Sequence, residues 1–361
     1  MMFIKKEIIS GQKRLHIGPF FIPYETERTE KIRKVTIGRF TLSYRYDLES
    51  GFVYVSLFGL EIPINTGEGP KRLAHYKIRK KLDINRCKKI LQEDLAEKLG
   101  YVPDLDNPKT YNEKILWMKL YEHNPLIKIC CDKYAVKKYV SEMIGPELVL
   151  PVLGVWKYPR EIDFDKLPNQ FVLKVNWSSG FNIIVKDKSS LNIPATIEKL
   201  HEWMQPHKNS YYDAFNWGYK DMEPVVYAEK YIEQMDGQVY DYKFCISNGK
   251  LLYVLIATNR DSVLTKDYFD ENFEHLPVIS GDSPHANPIP EKPKNYTKML
   301  AIAQKLAENF LFVRVDFYEV GDDIYLGEMT FYPGGGKLPM KPKEWEYIFG
   351  EKIHLPEKPN I

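Results

Sequence analysis

From residue 170 to residue 258 the chain carries short apolar runs separated by polar breaks: "QFVLKVNW" (170–177), "FNIIVKD" (181–187), "VVYAEKYI" (225–232), "YDYKFCIS" (240–247) and "LLYVLIAT" (251–258). Runs of this length, rich in Val, Ile, Tyr and Phe, predict strands. Helical stretches stand before and after them. "TYNE" (110–113) has the form of a capping box, in which the Thr110 hydroxyl accepts from the third amide while Glu113 reaches back, and it predicts a helix over "EKILWMKLY". "CDKYAVKKYV" (131–140) predicts a second helix, capped by Asp132 and with lysines in its last turns, where the helix dipole favours cations. "NYTKMLAIAQKLAENF" (295–310) predicts a third. This mixture predicts an α+β protein with mixed or antiparallel sheets.

Ahead of this body the chain repeats itself. "IGPFFIPY" (17–24), "IGRFTLSY" (37–44) and "FGLEIPI" (58–64) place Gly18, Gly38 and Gly59 at turn or bulge positions, each followed by alternating apolar residues. They predict a small β repeat module over 1–68, whose strand edges could pair with a second copy of the chain or with a glycan-assembly partner. A basic helical linker over 69–110 follows, then a catalytic body over 111–348 and a tail over 349–361. The linker contains "KRLAHYKIRKKLDINRCKKI" (71–90), with nine Lys or Arg against one Asp. A solvated helix face is the first reading of that run, and a dock for an anionic membrane surface or acidic polymer is the second.

Charge and cysteine usage remove several classes of function. With 51 basic and 49 acidic residues the net charge is +2, which gives no global bias towards nucleic acid. The longest uncharged apolar run, "LLYVLIA" (251–257), is far short of the ~20 residues a membrane helix needs. Cys87, Cys130, Cys131 and Cys245 follow no disulfide or zinc spacing, and "MMFIKKEIIS" has no apolar signal core, which predicts a reducing, cytoplasmic setting. The eight histidines show no metal spacing, and there is no GxSxG or HExxH.

The stretch "FVRVDFYEVGDDIYLGEMTFYPGGG" carries the densest chemistry. Alternation puts Val313, Val315 and Phe317 on one face of a strand and Arg314 and Asp316 on the other. A three-residue loop at Gly321, Asp322 and Asp323 would set Val320 opposite Ile324, Asp316 opposite Glu328 and Arg314 opposite Thr330. Facing carboxylates repel unless protonated or bridged; a hard divalent cation is the usual bridge, and the adjacent arginine favours a phosphate. An arginine–carboxylate network on a solvated face is the competing reading. Upstream, Ser178, Ser179 and Gly180 form a small-residue loop whose amides can approach a phosphate, with Lys174 on the preceding strand. A turn without function has the same pattern. Lys133 adds a cation, Glu229 falls between two β runs, and Asp241 and Lys243 share a strand face.

In their order, "NPKTYNEKILWMKLY", "CDKYAVKKYV", "FVLKVNWSSGFNIIVKDKS", "AEKYI", "DYKF", "FVRVDFY" and "GEMTFYPGGG" make residues 100–348 resemble the ATP-grasp ligases, in the TupA-like branch named for teichuronopeptide synthesis. The resemblance implies two α+β subdomains gripping ATP. Lys133 and Lys174 then match phosphate-contacting lysines, and Ser178 to Gly180 a flexible phosphate cover. Ala228, Glu229, Lys230, Tyr231 and Ile232 match the hinge that receives adenine, and Asp241, with Lys243 beside it, falls near an acid that contacts ribose. Asp316 and Glu328 match magnesium carboxylates, and Arg314 the arginine two residues before the metal acid. Thr330 stands where many members have Asn, which bears on the second of two expected Mg²⁺ ions.

The implied activity is an ATP-dependent carboxylate–amine ligation through an acyl phosphate. The branch implies an amino acid or amine joined to a uronic acid of a bacterial surface polysaccharide, at the inner face of the membrane if the acceptor is lipid-linked. Arg260 and Lys337 are candidate carboxylate holders, and Pro333 with Gly334 to Gly336 would let substrate approach the backbone. Two rivals use the same residues: a sugar phosphotransferase with the same ATP cradle, and a catalytically degenerate glycan-binding or assembly subunit. Amine dependence separates the first, and joint retention of Lys133, Lys174, Arg314, Asp316 and Glu328 argues against the second.

Overall fold

The computed structural model describes residues 79–177, 179–232, 241–258 and 263–359, together with the backbone of the strands between Ile4 and Ile64. The chain divides into two units, Met1–Lys81 and Leu82–Ile361. In the first, β1 (Ile4–Ile9), β2 (Gln12–Ile17) and β3 (Phe20–Pro23) form one antiparallel sheet. β4 (Glu25–Arg28), β5 (Ile32–Ile37), β6 (Phe40–Tyr46), β7 (Val53–Leu57) and β8 (Leu60–Ile64) form another in chain order. The repeat glycines Gly18, Gly38 and Gly59 and residues 71–78 of the basic run lie outside the described residues.

The second unit opens with α1 (Ile84–Leu99), which Asp83 caps by accepting from the Arg86 amide at 2.8 Å. Cys87, Leu91, Leu95 and Leu99 repeat every four residues and are buried, so this helix lays one stripe on the core and turns its other face to water. α2 (Tyr111–Tyr121) is buried almost all round. Its capping box is complete: Thr110 Oγ1 accepts from the Glu113 amide at 3.3 Å, and Glu113 Oε2 accepts from the Thr110 amide at 2.9 Å. A helix so enclosed must have its cations satisfied inside the fold. Lys114 Nζ donates to the carbonyls of Gly350 and Ile353 at 2.7 and 2.6 Å, and Lys119 Nζ to that of Gly335 at 2.6 Å.

α3 (Pro125–Cys131) is followed by α4 (Ala135–Met143). The second predicted helix therefore begins three residues later than expected, with Tyr134 at its N-cap position, while Asp132 holds the turn ahead of it, accepting from the Tyr134 and Ala135 amides at 2.8 and 2.9 Å. Its last turn holds no basic residue, contrary to the dipole argument; Lys137 sits in the first turn, where a buried carboxylate claims it.

Two sheets make the body. A four-stranded sheet has the order β11-β10-β12-β9, from β9 (Val152–Trp156), β10 (Phe171–Val175), β11 (Asn182–Val185) and β12 (Val226–Lys230), with α5 (Ile193–Trp203) sharing its core. A six-stranded sheet has the order β16-β15-β14-β13-β18-β19, from β13 (Asp241–Ser247), β14 (Lys250–Thr258), β15 (Thr265–Phe269), β16 (His275–Leu276), β18 (Phe312–Val320) and β19 (Asp323–Thr330). Every pairing is antiparallel. The short α6 (Ser210–Ala214) lies between the sheets in sequence. α7 (Tyr296–Ala307) lays Met299, Ala303, Leu306 and Ala307 under β13 and β18. A further pair, β17 (Ile279–Ser280) with β20 (Met340–Lys341), precedes α8 (Glu344–Glu351).

α8 lies against the cap of α2. A Cβ added at Gly350 would stand 2.1 Å from the Lys109 carbonyl oxygen and 3.0 Å from the Thr110 and Tyr111 backbone. Backbone cannot yield as a side chain can, so Gly350→Ala is expected to lower the unfolding midpoint by several degrees, a cost of ~2–3 kcal/mol. Thermal denaturation monitored by circular dichroism checks this, with Gly249→Ala, which meets no neighbour but carries a φ of +76°, as a comparison for strain alone.

Candidate active site

The β18–β19 hairpin sets Asp316 opposite Glu328 and Arg314 opposite Thr330, as the sequence count predicts, but by a different route. The loop is one residue shorter than expected, so Val320 faces Asp323 and not Ile324. A bulge at the Asp316/Phe317 step then restores the register, with Gly327 as the extra residue. Glycine fits there because a Cβ would lie 3.0 Å from the Tyr318 ring and 3.2 Å from the Asp316 carbonyl. The bulge thus aims two carboxylates at one point that a regular hairpin with this loop would have put out of step.

Around that point the charges interlock. Arg314 donates from Nε and Nη2 to the two Asp316 oxygens, both at 2.6 Å, a bidentate grip. Nη2 also reaches Glu328 Oε1 and Thr330 Oγ1, each at 3.1 Å. From β13, Lys243 Nζ meets Asp316 Oδ2 at 2.5 Å and lies 3.4 Å from Asp241 Oδ2. Lys133 Nζ lies 3.8 Å from Glu328 Oε2, so the turn between α3 and α4 faces the hairpin. That turn is pinned to the four-stranded sheet by Asn176, which donates to Asp132 Oδ2 at 2.7 Å and accepts the Lys133 amide on its carbonyl at 2.9 Å. On β12 the buried Glu229 pairs with Lys174 through one oxygen and with Lys137, at 2.9 Å, through the other.

Burial alone would raise the Glu328 carboxyl, but Lys133, Arg314 and Lys243 outweigh it and hold it down at about 2. Glu229 is pulled below its usual range in the same way, by Lys174 and Lys137 against burial. Burial lowers Lys133, Lys137 and Lys243, opposed by their carboxylate partners. Arg314 is lowered by burial, yet Asp316 and Glu328 reverse that and raise it well above its ordinary value.

Beside Arg314 and Lys243 opens a cavity of about 440 Å³, also lined by Lys266, Tyr111, Tyr253, Tyr268 and Ser280, with Pro333 and Gly334 at its wall. Three cations line it and no carboxylate does. The tyrosines are tied together, Tyr111 to Tyr253 at 2.9 Å between hydroxyls and Tyr268 to Ser280 at 2.6 Å, which leaves a firm aromatic bed.

The remaining expected residues stand in varied surroundings. The Glu229 carboxylate pairs with two lysines; Lys230 is exposed, and Tyr231 and Ile232 are half-buried beyond the strand end. Asp241 belongs to the Lys243–Asp316 cluster. Ser179 and Gly180, φ +78°, are exposed at the β10–β11 turn, whereas Ser178 and Arg260 lie outside the described residues. Lys337 folds over Gly335 and does not line the cavity. Lys266, Lys137 and Asn176 were not singled out from sequence. Lys266 stands out only once strand pairing places β15 beside β14, and "KVNW" carried Asn176 without any cue to its turn-pinning contact.

Two α+β halves, each a sheet with its own core, carry facing sets of cations and carboxylates; this is the clasp architecture of ATP-grasp proteins. The TupA-like ATPgrasp family matches residues 113–354, more than half of the chain, and the chain belongs to that family. Solved structures it is similar to include D-alanine–D-alanine ligase from Bacillus anthracis complexed with ATP, at 16% identity over 56% of this chain and 55% of that one, TM-score 0.35. N5-carboxyaminoimidazole synthase from Aspergillus clavatus, in complex with ADP and 5-aminoimidazole ribonucleotide, matches at 16% identity over 57% and 45%, TM-score 0.35. A RimK domain ATP-grasp protein from Sphaerobacter thermophilus matches at 13% identity over 76% and 96%, TM-score 0.36. The chain spans about half the length of the first two. No curated protein matches it. Among the described residues, no helix is long and apolar enough to cross a membrane.

The depressed Glu328 carboxyl makes a pH prediction. A carboxylate held below its unfolded value contributes stability that is complete above about 4.5 and is lost as pH falls towards about 2. Between those values the wild-type unfolding free energy is expected to fall more steeply with acid than that of Glu328→Gln, as urea titrations at a series of pH values would report.

Proposed function

We propose that the chain is an ATP-dependent carboxylate–amine ligase that joins an amine or amino acid to a uronic acid of a bacterial surface polysaccharide or its precursor. The observation that carries this reading is an acid-free cavity lined by Lys243, Lys266 and Arg314, directly beside the Asp316–Glu328 pair. Three cations turned to one cavity suit an anionic substrate, and an aromatic bed suits a sugar ring.

Asp316, Glu328 and Thr330 offer hard oxygen donors on one face, and Glu328, with a side chain about a third exposed, is open to solvent; the set fits Mg²⁺. Bound there, magnesium would neutralise the triphosphate and polarise its terminal phosphorus. Lys133 and Lys174, the one on a pinned turn and the other on β10, hold phosphate oxygens. Arg314 and Lys243 stand between the carboxylate pair and the cavity, so they hold charge that passes from nucleotide to acid. A substrate carboxylate oxygen attacks the terminal phosphorus, the bond to the bridging oxygen breaks and ADP leaves. The amine nitrogen then attacks the acyl carbon, and phosphate departs with the former carboxylate oxygen. No protein nucleophile is needed, and Cys130, Cys131 and Cys245 are buried with their thiols pushed up in pKa by desolvation.

A uronic acid labelled with ¹⁸O in its carboxylate is expected to pass one label to inorganic phosphate, and only when an amine is present should turnover continue. ADP and a phosphorylated sugar formed without amine, with no label in phosphate, would favour the phosphotransferase instead. Lys266→Ala is expected to raise KM for the acid at least tenfold, ~1.4 kcal/mol, while leaving affinity for an ATP analogue unchanged.

A further inference from the structure

Asp267 on β15 is fully buried, although its neighbour Lys266 turns to the cavity on the opposite face. Its Oδ1 faces two imidazoles: His275 Nε2, from β16, at 3.0 Å and His285 Nδ1, from the segment after β17, at 3.1 Å. The three atoms lie within 4.8 Å of one another. The Ala286 amide donates to the other oxygen at 3.1 Å, and His285 Nδ1 is also 3.1 Å from the Lys266 carbonyl. Both imidazoles are about a quarter exposed, 28% and 26%, so one side of the trio faces water.

We propose that Asp267, His275 and His285 form a zinc site separate from the nucleotide cleft. Two imidazole nitrogens and one carboxylate oxygen are the donors zinc takes in three-ligand sites, with water as the fourth, whereas magnesium and calcium take oxygen. Bonds of about 2.1 Å set tetrahedral ligand atoms about 3.4 Å apart, so the oxygen-to-nitrogen separations need open by only a few tenths of an ångström. Zinc binds an unprotonated ring nitrogen, so on uptake the His285 proton, which now serves the Lys266 carbonyl, would move to Nε2 and free Nδ1 for the metal, while the amide of Ala286 fixes the carboxylate from behind. The spacings, eight and then ten residues on, follow no compact zinc motif, so pattern alone does not reveal the trio. The ion would clip β15 to β16 and to the 284–286 segment, whose Pro284 carbonyl already accepts from the Lys266 amide at 3.0 Å. It would therefore brace the strand that carries Lys266 into the cavity.

Chelator-stripped full-length protein titrated with Co²⁺ and Zn²⁺ in excess Mg²⁺ tests this. One Co²⁺ per chain with the intense visible bands of a tetrahedral site is expected, displaced by Zn²⁺ and absent from a His275→Ala/His285→Ala double variant. Zinc is expected to raise the wild-type unfolding midpoint by a few degrees and to leave that of the variant in place. Should the double variant not fold, His275→Asn at its partly exposed position is expected to weaken zinc at least tenfold. No uptake by the wild type, or equal uptake by wild type and variant, would overturn the proposal and leave the trio a hydrogen-bonded strut.

Discussion

Five cations are held by three carboxylates, Glu229, Asp316 and Glu328, and the compensation of their charge is the constraint on which the site depends. Lys137 and Lys174 lean on Glu229, Lys133 faces Glu328, and Lys243 and Arg314 share Asp316. Desolvating such groups unpaired would cost several kcal/mol each, so every one is held by a carboxylate already in place. In the proposed reaction the partners exchange: phosphates take the lysines while magnesium takes the carboxylates, and neither set is left uncompensated. The pairs that compensate charge within the fold would then be the ones a nucleotide replaces.

That arrangement needs two rigid halves and a firm floor. Asn176 pins the Lys133 turn to β10, and the Gly327 bulge in β19 sets Glu328 opposite Asp316 of β18. α2 is the floor: Lys119 holds the Gly335 carbonyl, and Asn112 holds that of Leu338 at 2.9 Å and Glu346 at 2.6 Å. The glycine segment beside the cavity is thus fastened to a helix that is itself buried, which fits a wall that must keep its shape around a substrate.

Local signals carried much of this in the sequence. Short apolar runs found β10 to β14, the capping box found α2, and the facing of Asp316 with Glu328 came from counting along a hairpin. The count succeeded because two departures cancelled, a shorter loop and a bulge, neither of which alternation alone can reveal. What stayed hidden depends on contacts between distant segments. The pairing of Glu229 with two lysines appears only when the fold brings α4 and β10 to β12, and Lys266 and the Asp267–His275–His285 trio find their neighbours only when β15 joins its sheet. The TupA-like motifs located the family, but the direction in which each charged side chain is spent is a property of tertiary packing.

The exchange of partners at the hairpin is tested most directly by calorimetric titration of a non-hydrolysable ATP analogue, with and without Mg²⁺, into wild type and Glu328→Gln. The account predicts that the metal strengthens wild-type binding at least tenfold, ~1.4 kcal/mol, and that Glu328→Gln loses most of that gain while still binding the nucleotide. Nucleotide binding that is indifferent to Mg²⁺ in the wild type, or no binding at all, would contradict it.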